Sequence, residues 1–211
     1  MSAATSTAST SELPISEDQL VDRKIIIAYF LAAMGYMVVS LSGGFLMAFQ
    51  LIQHNPLQGV ELLSPGRWRM VHTNAIAYGF IANAFLGALH WAVPRLTLRP
   101  VFDQRLSWLI FGAWQLVVLS TAAGLVLGEA QALEWGETPV WIDPVAQLGL
   151  LLVAVNFMAP IMANKGPMYV TLWYFMAAFV WTFLTYAMGN FVPEYFVTGT
   201  SAGAVGGLFI H

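Results

Sequence analysis

The chain contains no cysteine in 211 residues. That absence excludes a disulfide framework, a thiolate metal centre, an iron–sulfur cluster and a covalently attached c-type haem. Charge is almost as scarce: Asp, Glu, Lys and Arg make up 9% of the residues, against about a quarter in an ordinary soluble domain. So few charges cannot furnish a water-facing shell. With a net charge of −3 there is also no basic surface for nucleic acid. What the chain has in quantity is apolar surface, with 58% hydrophobic residues and a mean hydropathy of +0.70. This is the composition of a multi-pass membrane protein, and eight tryptophans suit the belts at the two membrane surfaces.

A helix crosses the hydrocarbon with about 20 apolar residues. Five segments meet that requirement: roughly Lys24–Gln53, Met70–Val93, Leu106–Leu127, Pro144–Ala163 and Met168–Val192. A sixth, "VTGTSAGAVGGLFIH", begins near Val197 and stops after some fifteen residues, too few to cross. The expected fold class is therefore all-α: a transmembrane helix bundle of five full spans and a truncated sixth. The short sixth span leads to the expectation of a fragment of a longer protein. Residues 1–22 read as a disordered cytoplasmic tail, because "MSAATSTASTSELPISEDQ" is Ser/Thr/Ala-rich and lacks the apolar core of a signal peptide.

Basic residues orient the bundle. Arg23, Lys24, Arg95, Arg99, Arg105 and Lys165 fall on one side; Arg67 and Arg69 fall on the other. The first side is expected to be the cytoplasm, with the N-terminus in it and the chain in the cell (inner) membrane. The opposite loops carry Glu61, Glu129, Glu134, Glu137, Asp143 and Glu194.

His72, in "GRWRMVHTNA", then lies about one turn inside the outer surface. Imidazole is a common axial ligand for haem iron, and a histidine within a span is a functional candidate. The bland alternative is a capping or snorkelling residue. Ala75 and Gly79 share its helical face and leave room for a flat macrocycle. Arg67 and Arg69 suit haem propionates or, equally, lipid headgroups. His90 follows 18 residues later on the same face, about 27 Å away, and reads as an interfacial ring beside Trp91 and Pro94. His54 reads as solvated. His211 falls at mid-membrane depth, with Gly203 and Gly207 on its face. In the loop "GEAQALEWGETPVWIDP", Glu134, Glu137 and Asp143 are hard oxygen donors for calcium or simply a solvated anionic stretch.

"GRWRMVHTNA" resembles the start of the second transmembrane helix of the catalytic subunit (subunit I) in cbb-type haem–copper oxidases and, more distantly, nitric oxide reductases. "WQLVVLSTAAGLVLG", "EWGETPVWIDP", "MYVTLWYFMAAFVWTFL" and "GGLFIH" are similar to later parts of the same pattern, so that residues 23–211 look like the N-terminal part of that transmembrane domain. The resemblance implies His72 as an axial ligand of a low-spin haem b and Arg69, beside Arg67, at its propionates. It implies Glu134 as a ligand of a propionate-bridging calcium ion and Glu137 as support for that site. His211 would be one of three histidines on a copper ion facing a high-spin haem. Met70 and Ile210 depart from the residues expected there. The remaining ligands and an active-site tyrosine would lie in later helices.

The implied activity is that of a cytochrome c oxidase. Electrons come from cytochrome c, through partner subunits that include membrane-anchored c-type cytochromes, and oxygen is reduced to water; this stretch alone is expected to be inactive. Two alternatives remain at this point: a nitric oxide reductase large subunit, and a non-redox transporter in which His72, Asn83 and His90 line a polar path.

Overall fold

A computed structural model of the protein describes residues 20–131 and 136–196. The first nineteen residues, Glu134 and the sixth segment with His211 lie outside the described residues. Within them every regular element is helical, with α1 Arg23–Ala48, α2 Pro65–Asn74, α3 Ala82–Thr97, α4 Gln104–Leu127, α5 Asp143–Met162, α6 Val170–Tyr186 and α7 Val192–Phe196. A seven-residue π-helical segment, Ala75–Ile81, joins α2 to α3 without a break. Among the described residues five helical stretches are long and apolar enough to cross a membrane: Arg23–Ile52, Pro65–Thr97, Gln104–Leu127, Val140–Met162 and Val170–Asn190. The protein is thus a multi-pass helical bundle, of the kind found in inner membranes.

The helix ends follow from their sequences. Asp22 caps α1 by accepting from the Lys24 amide at 2.9 Å, and Asp103 caps α4 through the Leu106 amide at 2.8 Å. Pro65 stands in the first turn of α2, where its missing N–H costs nothing. Gly128, with φ of +94°, ends α4 in the left-handed region that favours glycine. The second span runs 33 residues, about 50 Å of helix, beyond what the hydrocarbon needs. It therefore begins five residues before the expected Met70, and Arg67, Arg69 and His72 all stand on one continuous helical ramp.

These helices are largely apolar, so hydrophobicity does not decide which faces turn inward. Small and polar residues do. Leu31, Phe45, Leu116 and Trp181 are exposed at the bundle surface, whereas Ser40, Asn83, Ser107 and Asn156 are buried. Asn156 shows how such residues hold helices together. Its Oδ1 accepts from the Asp103 amide at 3.0 Å, its Nδ2 donates to Ser107 Oγ at 2.8 Å, and its carbonyl accepts from the Phe102 amide at 3.0 Å. The apolar core lies around Tyr29, Val93, Trp114, Phe157 and Phe179, contributed by α1, α3, α4, α5 and α6.

The π segment has a local cause. A wide turn frees backbone carbonyls, and side chains here take them up. Asn83 Nδ2 donates to the Gly79 carbonyl at 2.6 Å, and Trp114 Nε1 of α4 donates to the Tyr78 carbonyl at 3.0 Å. Gln115 Nε2 then reaches Asn83 Oδ1 at 2.6 Å, tying α4 to the start of α3.

Candidate functional site

His72 lies in α2, three residues before the π segment, and its ring is wedged against α1. Its Nδ1 is 2.6 Å from the Ser40 carbonyl oxygen, and Ser40 Oγ donates to the His72 carbonyl at 2.8 Å. A carbonyl only accepts, so the short contact assigns the ring proton to Nδ1 and leaves Nε2 as the bare lone pair. Nε2 has no hydrogen-bond partner among the described residues, and the ring is half-buried rather than sealed. A histidine held by a carbonyl at one nitrogen and open at the other is the arrangement that metal-ligating imidazoles show.

The close approach rests on Gly44. A Cβ there would lie 2.8 Å from His72 Cε1, a separation real Cβ atoms do not adopt. The expected room beneath His72 is filled. Ala75 and Gly79 are both buried, and a Cβ on Gly79 would meet Tyr36 Cγ at 2.7 Å. Small residues on this face bring α1 in, with Tyr36 packed where a macrocycle was expected to lie. Any large ring bound to His72 must approach from its Nε2 side.

The two arginines differ. Arg67 Nη1 donates to the Val126 carbonyl at 3.0 Å, in the last turn of α4, and Nη2 meets Glu61 Oε1 at 3.1 Å. It ties the outer end of α2 to the end of α4, where a cation suits the helix dipole. Arg69 is exposed, and no hydrogen bond or ion pair engages its guanidinium among the described residues.

The acidic loop is less solvated than its composition implies. Glu137 is buried and accepts from Asn74 Nδ2 at 3.2 Å, two residues along α2 from His72. Asp143 is fully buried: Oδ2 accepts from Gln131 Nε2 at 2.7 Å and Oδ1 from Tyr186 Oη at 2.8 Å. Asp143 is thereby drawn toward α6, while Glu137 faces α2. Among the described residues no group of three or more histidines and carboxylates is placed to hold a metal ion. Glu134 and His211 lie outside them.

His90 is not open to solvent. It is buried among Tyr29, whose ring centroid is 5.2 Å away, and Phe157, at 4.8 Å. Its Nδ1 bonds the carbonyl of Leu86, one turn back, at 2.7 Å. His54 is exposed, with its ring edge-on to Phe49. Sequence reasoning missed Ser40, Gly44 and Asn74. The first two do carry a signal, a small residue four positions from a small residue in "SLSGG", which marks close helix packing.

Comparison with known proteins extends this geometry. Residues 24–206 match the family model described as cytochrome c and quinol oxidase polypeptide I. Cytochrome c oxidase subunit 1 of Rhodobacter capsulatus is 25% identical over 187 residues, covering 88% of this chain and 35% of that protein. A subunit 1 homolog of Agrobacterium tumefaciens is 25% identical over 193 residues, or 90% of this chain and 35% of the relative. The Cbb3-type cytochrome c oxidase subunit CcoN1 of Stutzerimonas stutzeri is 27% identical over 170 residues, 79% of this chain and 35% of its own length. The chain thus spans about a third of the length of these curated relatives. Since the family match runs through all five apolar helices, the chain belongs to the cytochrome c and quinol oxidase polypeptide I family.

Proposed function

We propose that this chain is the N-terminal part of the catalytic subunit of a cbb-type terminal oxidase, and that His72 Nε2 is an axial ligand of a low-spin haem b. The observation that carries the reading is the His72 ring itself, with Nδ1 proton-bound to the Ser40 carbonyl and Nε2 open. A haem held there supplies one-electron transfer.

The chain's own residues have separable tasks. The Ser40 carbonyl fixes the tautomer and raises the basicity of the ring, and Gly44 sets how deeply the ring seats. Arg69 offers its guanidinium to an anionic propionate. Arg67 commits two of its five N–H donors to Val126 and Glu61 and holds the start of α2 in place. The Asn74–Glu137 bond anchors the following turn to the acidic loop. In the same reading Glu134, with support from Glu137, would hold a calcium ion, and His211 would be one ligand of a copper ion.

The wider reading places the N-terminus in the cytoplasm and His72 toward the outer face. Electrons then arrive from cytochrome c through membrane-anchored c-type cytochrome subunits, and oxygen is the acceptor. The relatives named above are oxidase subunits, which favours oxygen over nitric oxide. The transporter alternative loses its path: Asn83 bonds Gly79 and Gln115, and His90 is enclosed by aromatic rings. Reduced-minus-oxidised spectra and metal analysis of the purified full-length protein test the reading. Low-spin b-type bands with stoichiometric copper support it; non-haem iron in place of copper selects the reductase, and a colourless protein removes the haem assignment.

A further inference from the structure

At the end of the bundle opposite His72, two short connections meet across a cleft of about 320 Å³. One wall is the end of α3 and its exit, Arg95 to Arg99; the other is the α5–α6 turn, Asn164 to Pro167, with Tyr169. Three cations, Arg95, Arg99 and Lys165, line it. We propose that this cleft binds the phosphate-bearing headgroup of an anionic membrane phospholipid.

Both walls are rigid before anything binds. Leu98 takes a left-handed conformation, with φ of +52°, and Thr97 Oγ1 donates to the Val93 carbonyl at 2.8 Å, with the Arg99 carbonyl 3.3 Å away. Asn156 fastens the same connection at Phe102 and Asp103. Across the cleft, Asn164 Oδ1 accepts from the Gly166 amide at 3.0 Å and its Nδ2 donates to the Pro167 carbonyl at 3.3 Å. Arg95 is oriented as well, its guanidinium carbon 4.6 Å from the centre of the Trp91 ring. Turns whose backbone is braced in this way lose little entropy when an anion arrives.

The carboxylates of this face leave two of the cleft's cations unengaged among the described residues. Among the described residues its carboxylates are Asp22 and Asp103, and both accept backbone amides as helix N-caps. Neither lines the cleft, and no described acidic side chain pairs with Arg99 or Lys165.

A lipid suits the cleft better than a free anion because its rim is greasy. Leu98, Trp91, Tyr169 and Val170 are exposed beside the cations, at the helix ends where a bilayer surface must lie. A headgroup among the cations would lay its acyl chains along these side chains. The site stands apart from His72 and does not depend on a haem.

The test is native mass spectrometry of the purified protein in mild detergent, with equimolar phosphatidylglycerol and phosphatidylcholine. The wild type should retain phosphatidylglycerol preferentially, and Arg99→Gln with Lys165→Gln should lower that retention about thirtyfold. Arg99→Lys with Lys165→Arg should restore it, which separates lost charge from lost folding. Equal retention of the two lipids overturns the proposal. So does an equal loss in Arg23→Gln with Lys24→Gln, because the effect would then be general surface charge. Displacement of phosphatidylglycerol by millimolar inorganic phosphate also overturns it, in favour of a soluble anion.

Discussion

His72 and His90 occupy the two ends of one long helical span, and they do opposite things. Each bonds a backbone carbonyl through Nδ1, at 2.6 and 2.7 Å. The His72 carbonyl belongs to another helix, so the bond fixes the ring relative to α1. The His90 carbonyl is that of Leu86 on its own helix. The other nitrogen separates them further. His72 is half-buried with Nε2 uncommitted, whereas His90 Nε2 is buried with no hydrogen-bond partner among the described residues. A ligand needs an approach path, and an enclosed nitrogen has none. Residue type and depth alone do not distinguish the two; the packing of α1 does, through glycine at one end and tyrosine at the other.

The sharpest way to break this contrast is at Gly44. Gly44→Val places branched methyls where Cε1 of His72 sits, so the ring must leave its seat. Low-spin haem b content, read from reduced-minus-oxidised spectra, should fall at least about tenfold, since a displaced ring forfeits the support worth 10–100-fold in metal affinity. Retention of the wild-type spectrum would show that the seat does not matter.

Next in size is Asp143→Ala, which tests whether the acidic loop is structural. It strands the Tyr186 hydroxyl and the Gln131 amide in a buried site. Thermal unfolding in detergent should show a loss of about 1–3 kcal/mol, and an unchanged transition would mean that water or relaxation replaces the carboxylate.

Arg67→Gln removes the bridge from α2 to the Val126 carbonyl. The Glu61 pair adds little because that carboxylate is 85% exposed. The expected cost is about 0.5–1 kcal/mol of stability, with haem content kept. Arg69→Gln should show the reverse: unchanged stability, because it is exposed and unbonded among the described residues, but a shifted haem midpoint potential.

The smallest effect is expected at His90. Replacing a buried polar group by an apolar one of similar shape is nearly neutral, so His90→Phe should change stability by less than about 1 kcal/mol and leave the haem spectrum intact. Loss of haem in that variant would erase the distinction between the two ends.

The sequence exposes the spans because each is a long apolar run, and lipid demands little else of a helix surface. It exposes His72 as a candidate because polar groups at that depth are costly. Which face turns inward is harder to read when every face is apolar. The Gly79–Tyr36 contact inverts the expected free space beneath His72, since a small residue admits a neighbour as readily as a ligand. The π segment has no sequence signature of its own, because it depends on Trp114 and Asn83 reaching carbonyls that open only in the fold. Ser40 is one of two serines in an apolar helix, and its partner lies 32 residues away. The burial of Glu137 and Asp143 is likewise non-local, set by Asn74 on α2 and Tyr186 on α6.

The most direct measurement compares the low-spin b spectrum of His72→Ala with that of His90→Ala in the assembled protein. The first variant should lose the low-spin signal while the second keeps it at wild-type intensity. A preserved signal in His72→Ala would contradict the assignment of the iron to this end of the span.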